Sequence, residues 1–275
     1  MRGAVSGGMG LGLDELGLND RFDAVYGSSA GSLNGLWLLS GRARDGIQTW
    51  TDASLGRIVM NKRRIFGSRP IVDLQTVIEQ HYERISPGLF QAALDAETEF
   101  HPLATDIETG QPDDLHRQIK DRDSLVLALR ATSTLPLIGG PPVGLNGARY
   151  LDAGLSAAIP FQAAIDDGAT HLLVLRSRRE GDLASNPSGY AGRLTTRMLA
   201  RLSPAVQTCY LTRGDREGAD EELLDRHHRD PQLSPSILQV RPAPGSPVPS
   251  RLESDMGVVR AGLEAGREAV RELFG

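Results

Sequence analysis

Apolar positions along the chain fall into two rhythms. Phe22, Ala24, Val25 and Tyr26 form a short apolar run, and Leu33, Leu36, Trp37 and Leu39 follow at three- and four-residue spacing. The first pattern predicts a buried strand and the second one face of a helix. The alternation continues downstream. Residues 100–104 read as a second strand, and residues 122–133 as a helix that stops before Pro136. A Gly- and Pro-rich loop spans 136–147, and Tyr150 and Leu151 end a short strand. Pro160 fits the first turn of the next helix, and residues 170–175 give the clearest buried strand in the chain. Residues 4–18 intersperse glycines with Leu11, Leu13, Leu16 and Leu18, which predicts a helix lying close on a sheet. Residues 42–99 are mostly helical in pattern, broken at Pro70 and Pro87, and two helices fill 189–212. Residues 229–250 are Pro-rich around a short strand at 236–241. An amphipathic helix at 252–273 closes the chain, with Met256, Val259, Leu263 and Val270 inward. Strands alternating with helices define an α/β protein with a mainly parallel sheet.

Composition narrows the function classes. A chain of 275 residues is long enough for one large domain with a buried core. Its net charge of −5 gives no electrostatic case for nucleic acid. No apolar run reaches bilayer length, and no signal peptide is visible. The single cysteine, Cys209, excludes an internal disulfide and a Cys-rich metal site, so a cytoplasmic setting is expected.

Candidate chemistry centres on Gly27-Ser28-Ser29-Ala30-Gly31, a G-x-S-x-G between the predicted strand and helix. A serine there stands on a nucleophile elbow, at the positive end of a helix. Flanking glycines let the backbone pass closely through the turn. The serine needs a base. None of the six histidines lies in a convincing motif, although a late histidine such as His227 or His228 would satisfy the order Ser, Asp, His. The other candidate is Asp152, at a strand end and followed by Ala153 and Gly154. A partly buried carboxylate bonded directly to the hydroxyl can serve as base. Asp113-Asp114 and Asp166-Asp167 read as loop or helix-end charges with no metal spacing. Lys62-Arg63-Arg64, ahead of Ile65 and Phe66, reads as a solvated face, with an anionic membrane surface as the alternative.

These motifs carry a family resemblance. The stretch from Gly27 to Gly35 resembles the nucleophile motif of the patatin-like phospholipases, and Asp152-Ala153-Gly154 resembles their Asp-Gly-Gly/Ala motif. Residues 128–133 with Pro136, Leu103-Ala104-Thr105-Asp106 and Thr109-Gly110 also fit. The resemblance covers roughly residues 1–176, leaving 177–275 as a C-terminal helical extension on the same domain. It implies a three-layer α/β/α patatin fold and a Ser-Asp dyad, with Ser29 as nucleophile and Asp152 as base, acting on lipid or other acyl esters. It implies no metal and no cofactor, and transient contact with a membrane surface. The family's Gly-rich oxyanion loop is matched only by its tail, Arg2 and Gly3, which with the Ala30 amide are the expected oxyanion residues. The expectation is that in-frame DNA upstream of Met1 encodes the preceding strand and glycines. The rival expectation is a catalytically silent patatin-fold protein that binds lipid or a partner.

Overall fold

The computed structural model describes residues 1–61, 64, 70–182, 189–251 and 253–275. Helix α1 (Gly3–Glu15) leads into β1 (Ala24–Ser28), and α2 (Ala30–Leu39) follows after one residue. Strands β2 (Glu99–Asp106) and β3 (Pro112–Asp114) precede α3 (Arg122–Ser133). Then come β4 (Val143–Leu145), β5 (Ala148–Asp152), β6 (His171–Leu175) and β7 (Ser236–Val240). The last helix is α4 (Met256–Phe274).

Helices cover both faces of the sheet, giving three α/β/α layers. On one face Leu33, Leu36 and Trp37 of α2 and Leu125 and Leu129 of α3 pack with Phe100 of β2. On the other, Ile107 and Leu151 pack with Leu199, Val206 and Tyr210 from helices Gly189–Leu202 and Pro204–Leu211. Each such buried side chain contributes about 1.5–3 kcal/mol.

The sheet is mixed, where the alternation of elements predicts a mainly parallel one. β1 pairs with β2 in parallel, but β5 pairs antiparallel with both β2 and β4, and β3 antiparallel with β2. The β4–β5 pairing has a local reason. Asn146 and Gly147 both take positive φ (49° and 87°) between Leu145 and Ala148, which are paired. Two central residues at positive φ make a tight hairpin turn, so β5 turns back instead of crossing over. β6 pairs in parallel with β7 in a separate two-stranded sheet. It was expected to be buried, yet only Val174 is, because its other edge faces a cleft. The outer edge of β1 faces the same cleft, whose volume is about 1750 Å³.

The glycine pattern of α1 serves a helix crossing rather than a sheet contact. A Cβ on Gly8 would sit 1.8 Å from the Leu263 carbonyl oxygen, and one on Gly266 2.0 Å from that of Val5. The backbones of α1 and α4 therefore touch, with Val5, Met9, Leu13 and Val270 buried alongside. The crossing fixes the start of α1 against α2.

Three features missed by periodicity have physical causes. Helix Arg213–Arg229 is polar almost all round and buries only Arg213, Leu224 and His227, so no apolar stripe marks it. Asp114 and Asp167 gain a histidine partner through the fold rather than through spacing. His101 Nδ1 lies 2.6 Å from Asp114 and 3.9 Å from Asp167, and its Nε2 lies 3.3 Å from Glu99. Burial alone would lower the His101 pKa, but these carboxylates raise it. Arg64 is not on a solvated face: it is mostly buried, donates to the carbonyls of Ile58 (3.0 Å) and Pro70 (3.3 Å) and lies 3.5 Å from Asp73. Lys62, Arg63, Ile65 and Phe66 lie outside the described residues.

Candidate active site

Strand register brings the two central residues together. Ser28 pairs with Leu103 of β2, and Asp152 pairs across β2 with the next residue, Ala104. Ser29, one step past Ser28, thus reaches over the same rung that Asp152 borders from the other side. The Ser29 hydroxyl donates to Asp152 Oδ2 at 2.5 Å.

Ser29 has φ 54° and ψ −122°, a region that residues with side chains seldom occupy. Strain of this kind costs about 1–3 kcal/mol and needs surrounding structure to hold it. Here Thr132 on α3 holds it: its Oγ1 accepts the Ser29 amide at 2.9 Å and lies 3.1 Å from Ser32 Oγ. Ser28 Oγ donates to the Ala157 carbonyl at 2.6 Å, tying β1 to the turn after Asp152.

The two motif glycines differ. A Cβ on Gly27 would meet the Ser32 backbone at 2.5 Å, whereas one on Gly31 meets nothing within 4 Å. Only Gly27 is therefore required by close approach. Gly27→Ala should lower stability by about 1–3 kcal/mol through overpacking, while Gly31→Ala in the first turn of α2 should be neutral or stabilising by up to about 1 kcal/mol. Urea denaturation of the two variants measures this; equal losses would contradict the steric account.

Asp152 is 4% exposed, and burial raises its pKa above the ordinary aspartate value. Its hydrogen bonds to Ser29 and the Gly154 amide, and the charges of Arg251 and Arg213, oppose that shift without cancelling it. Oδ1 accepts the Gly154 amide at 2.7 Å, and a Cβ on Gly154 would press on the same oxygen at 2.8 Å. Ala153 is fully buried. The Asp152 backbone is clamped as well. Its amide donates to the Thr134 carbonyl (2.8 Å), and its carbonyl accepts from Thr105 Oγ1 (2.9 Å). Thr105 and Thr132 fall within stretches that carry the family resemblance and Thr134 lies just beyond one, but nothing in the sequence assigned any of them a role in the site.

Arg2 precedes α1 without a capping side-chain hydrogen bond, and Gly3 begins the helix. Gly3 lies against Ala30, where a Cβ would come within 2.5 Å of the Ala30 Cβ. Arg2, Gly3, Ser29, Ala30, Gly31, Asp152 and Gly154 all line the one cleft. First-turn amides of a helix have no intrahelical partner, so the start of α2 offers the Ala30 amide to the space beside Ser29.

No histidine hydrogen-bonds Ser29 or Asp152 among the described residues. His227 is buried with Nδ1 on the Pro235 carbonyl (2.8 Å), and His228 Nδ1 accepts the Gln239 amide (3.2 Å). The late histidines thus hold β7 in place.

An α/β/α sandwich whose strand–turn–helix lifts a serine onto strained backbone is the architecture of proteins that present a nucleophile at a sheet. The family model for patatin-like phospholipase matches residues 1–165, and the chain belongs to this family, one of lipid acyl hydrolases. No curated protein matches the chain. Among the described residues, no helix is long and apolar enough to cross a membrane.

Proposed function

We propose that the protein is a serine acyl-ester hydrolase of lipids, with Ser29 as nucleophile and Asp152 as general base. The observation that carries this reading is the 2.5 Å hydrogen bond from a half-buried, strained serine to a buried aspartate of raised pKa. In the first step Ser29 Oγ bonds to the ester carbonyl carbon while its proton passes to Asp152 Oδ2. The carbonyl oxygen becomes an oxyanion, for which the Ala30 amide and the start of α1 at Gly3, both lining the cleft, are the proposed donors. Preorganised donors of this kind are worth roughly 3–4 kcal/mol each. Collapse expels the alcohol, which takes the proton from Asp152. Water then attacks the acyl carbon, again giving its proton to Asp152; the bond from that carbon to Ser29 Oγ breaks, Oγ takes the proton back from Asp152, and the freed carboxylic acid leaves. The apolar walls of the cleft, including Val59, Met60, Val72 and Ile159, suit an acyl chain. A lipid reaches such a cleft from a membrane surface.

The pH profile tests the assignment of the base. Asp152 must be ionised to accept the proton, so activity falls as pH drops through its pKa. Because burial raises that pKa, the acid limb of kcat/KM should inflect above the ordinary aspartate value of 3.8. An acid limb at or below that value would count against Asp152 as the base.

A further inference from the structure

Away from the dyad, the cleft gathers donor groups that ester hydrolysis does not use. One donor atom from each of Glu99, His101 and His116 lies within 4.8 Å of the other two. Glu99 and His101 belong to β2, and His116 opens the turn His116–Gln118 after β3. The two imidazoles stack, with ring centroids 4.3 Å apart, and Tyr26 of β1 stacks on His101 at 4.2 Å. All three donors line the cleft, and the Glu99 side chain is exposed, so the group is open to solvent.

Each histidine is oriented as a metal ligand is oriented. His101 Nδ1 faces Asp114 Oδ2 at 2.6 Å, and His116 Nδ1 faces the Phe100 carbonyl at 3.0 Å. A carboxylate and a carbonyl accept, so both Nδ1 atoms carry a proton and donate it. That leaves Nε2 of each ring for an ion and raises its basicity. Asp114 steadies both residues, since its Oδ1 accepts the His116 amide at 2.9 Å. His101 Nε2 lies 3.3 Å from Glu99 Oε2. Charged hydrogen bonds are usually about 2.7–2.9 Å long. Two ligands on one tetrahedral ion, with bonds of about 2.0–2.1 Å, stand about 3.3 Å apart. A modest splay of the stacked rings brings His116 Nε2 onto the same ion. Two imidazoles with one carboxylate suit Zn²⁺ and its transition-metal neighbours, whereas Ca²⁺ and Mg²⁺ prefer oxygen ligands throughout.

We infer that Glu99, His101 and His116 bind one divalent transition-metal ion of the Zn²⁺ class, with water in the fourth position. The ion takes the place of the Nε2 proton on His101, which passes to solvent. It ties β2 to the turn after β3. Tyr26, stacked on His101, stands three residues before Ser29, about 10 Å of extended chain. An ion at this site therefore does not touch an ester held at Ser29. The metal site stands apart from the hydrolase reading, and binding alone tests it.

The test titrates ZnCl₂ into chelator-treated, dialysed protein by calorimetry. Wild type should bind one ion per chain with a Kd of about 10 µM or tighter. Glu99→Gln changes an exposed side chain and should weaken binding at least about tenfold. Asp114→Asn keeps all three ligands and removes only the charge that orients His101; it should weaken binding by about 10- to 100-fold. His81→Ala, at the end of helix Leu74–Gln80, should bind as wild type does. About a hundredfold excess of Ca²⁺ should leave the Zn²⁺ in place. With Zn²⁺ at about a hundred times Kd, the melting temperature of wild type should rise by about 5 °C, and that of Glu99→Gln at the same concentration by clearly less. Binding weaker than about 10 µM in wild type overturns the inference. So does binding that survives Glu99→Gln undiminished, that His81→Ala abolishes, or that Ca²⁺ displaces.

Discussion

Ser29→Ala should reduce ester hydrolysis by at least about 10³-fold, to the level supported by binding and oxyanion donors alone. The fold should survive. The change removes one oxygen from a half-buried turn, and Ala at φ 54° keeps the strain that Ser29 carries. Thr132 still accepts the amide of residue 29, so the elbow keeps its support. Asp152 loses a donor but retains the Gly154 amide on its other oxygen. The melting temperature should therefore move by only a few degrees. Ser29→Gly separates strain from chemistry: it should be equally inactive yet more stable than Ser29→Ala, because glycine tolerates positive φ. Steady-state kinetics with thermal melts of both variants make the comparison. Residual activity near wild type in either would remove Ser29 from the mechanism.

Asp152→Asn should lower kcat by about 10² to 10⁴-fold, the range supplied by a positioned general base. The amide is nearly isosteric but cannot take the serine proton. KM should change little, since Asp152 contacts the serine rather than the acyl chain. Stability should hold or rise. Asp152 is buried, and its raised pKa shows that the fold disfavours its charge; a neutral amide avoids that cost. The variant should also lose the acid limb of the pH profile. By contrast, replacing both His227 and His228 with Ala should weaken the packing around β7 and leave kcat nearly unchanged, because their bonds run to Pro235 and Gln239. The opposite pattern, essential histidines and a dispensable Asp152, would overturn the dyad.

Local rules made part of this molecule legible in its sequence. The elbow has a compact apolar strand, a G-x-S-x-G and a helical spacing in immediate succession, so the structure and its neighbouring α2 follow from contiguous residues. Helix 122–133 was equally clear, and Asp121 caps it through the Ser124 amide. The antiparallel entry of β5 was written in Asn146-Gly147, a dipeptide that sets a tight hairpin, but a surrounding excess of Gly and Pro made the stretch read as loop. Spacing alone left the partner of Ser29 open between Asp152 and a late histidine, because it depends on the register of two strands against β2, a non-local property; only the family resemblance pointed to Asp152. Arg213 and Arg251 were not legible either, since they stand 61 and 99 residues beyond Asp152 and reach it only through the tertiary fold.

Covalent labelling tests the central claim most directly. Wild-type protein treated with a fluorophosphonate, digested and mapped by mass spectrometry, should carry one adduct, on Ser29, and Ser29→Ala should carry none. An adduct on any other serine, or undiminished labelling of Ser29→Ala, would contradict the account.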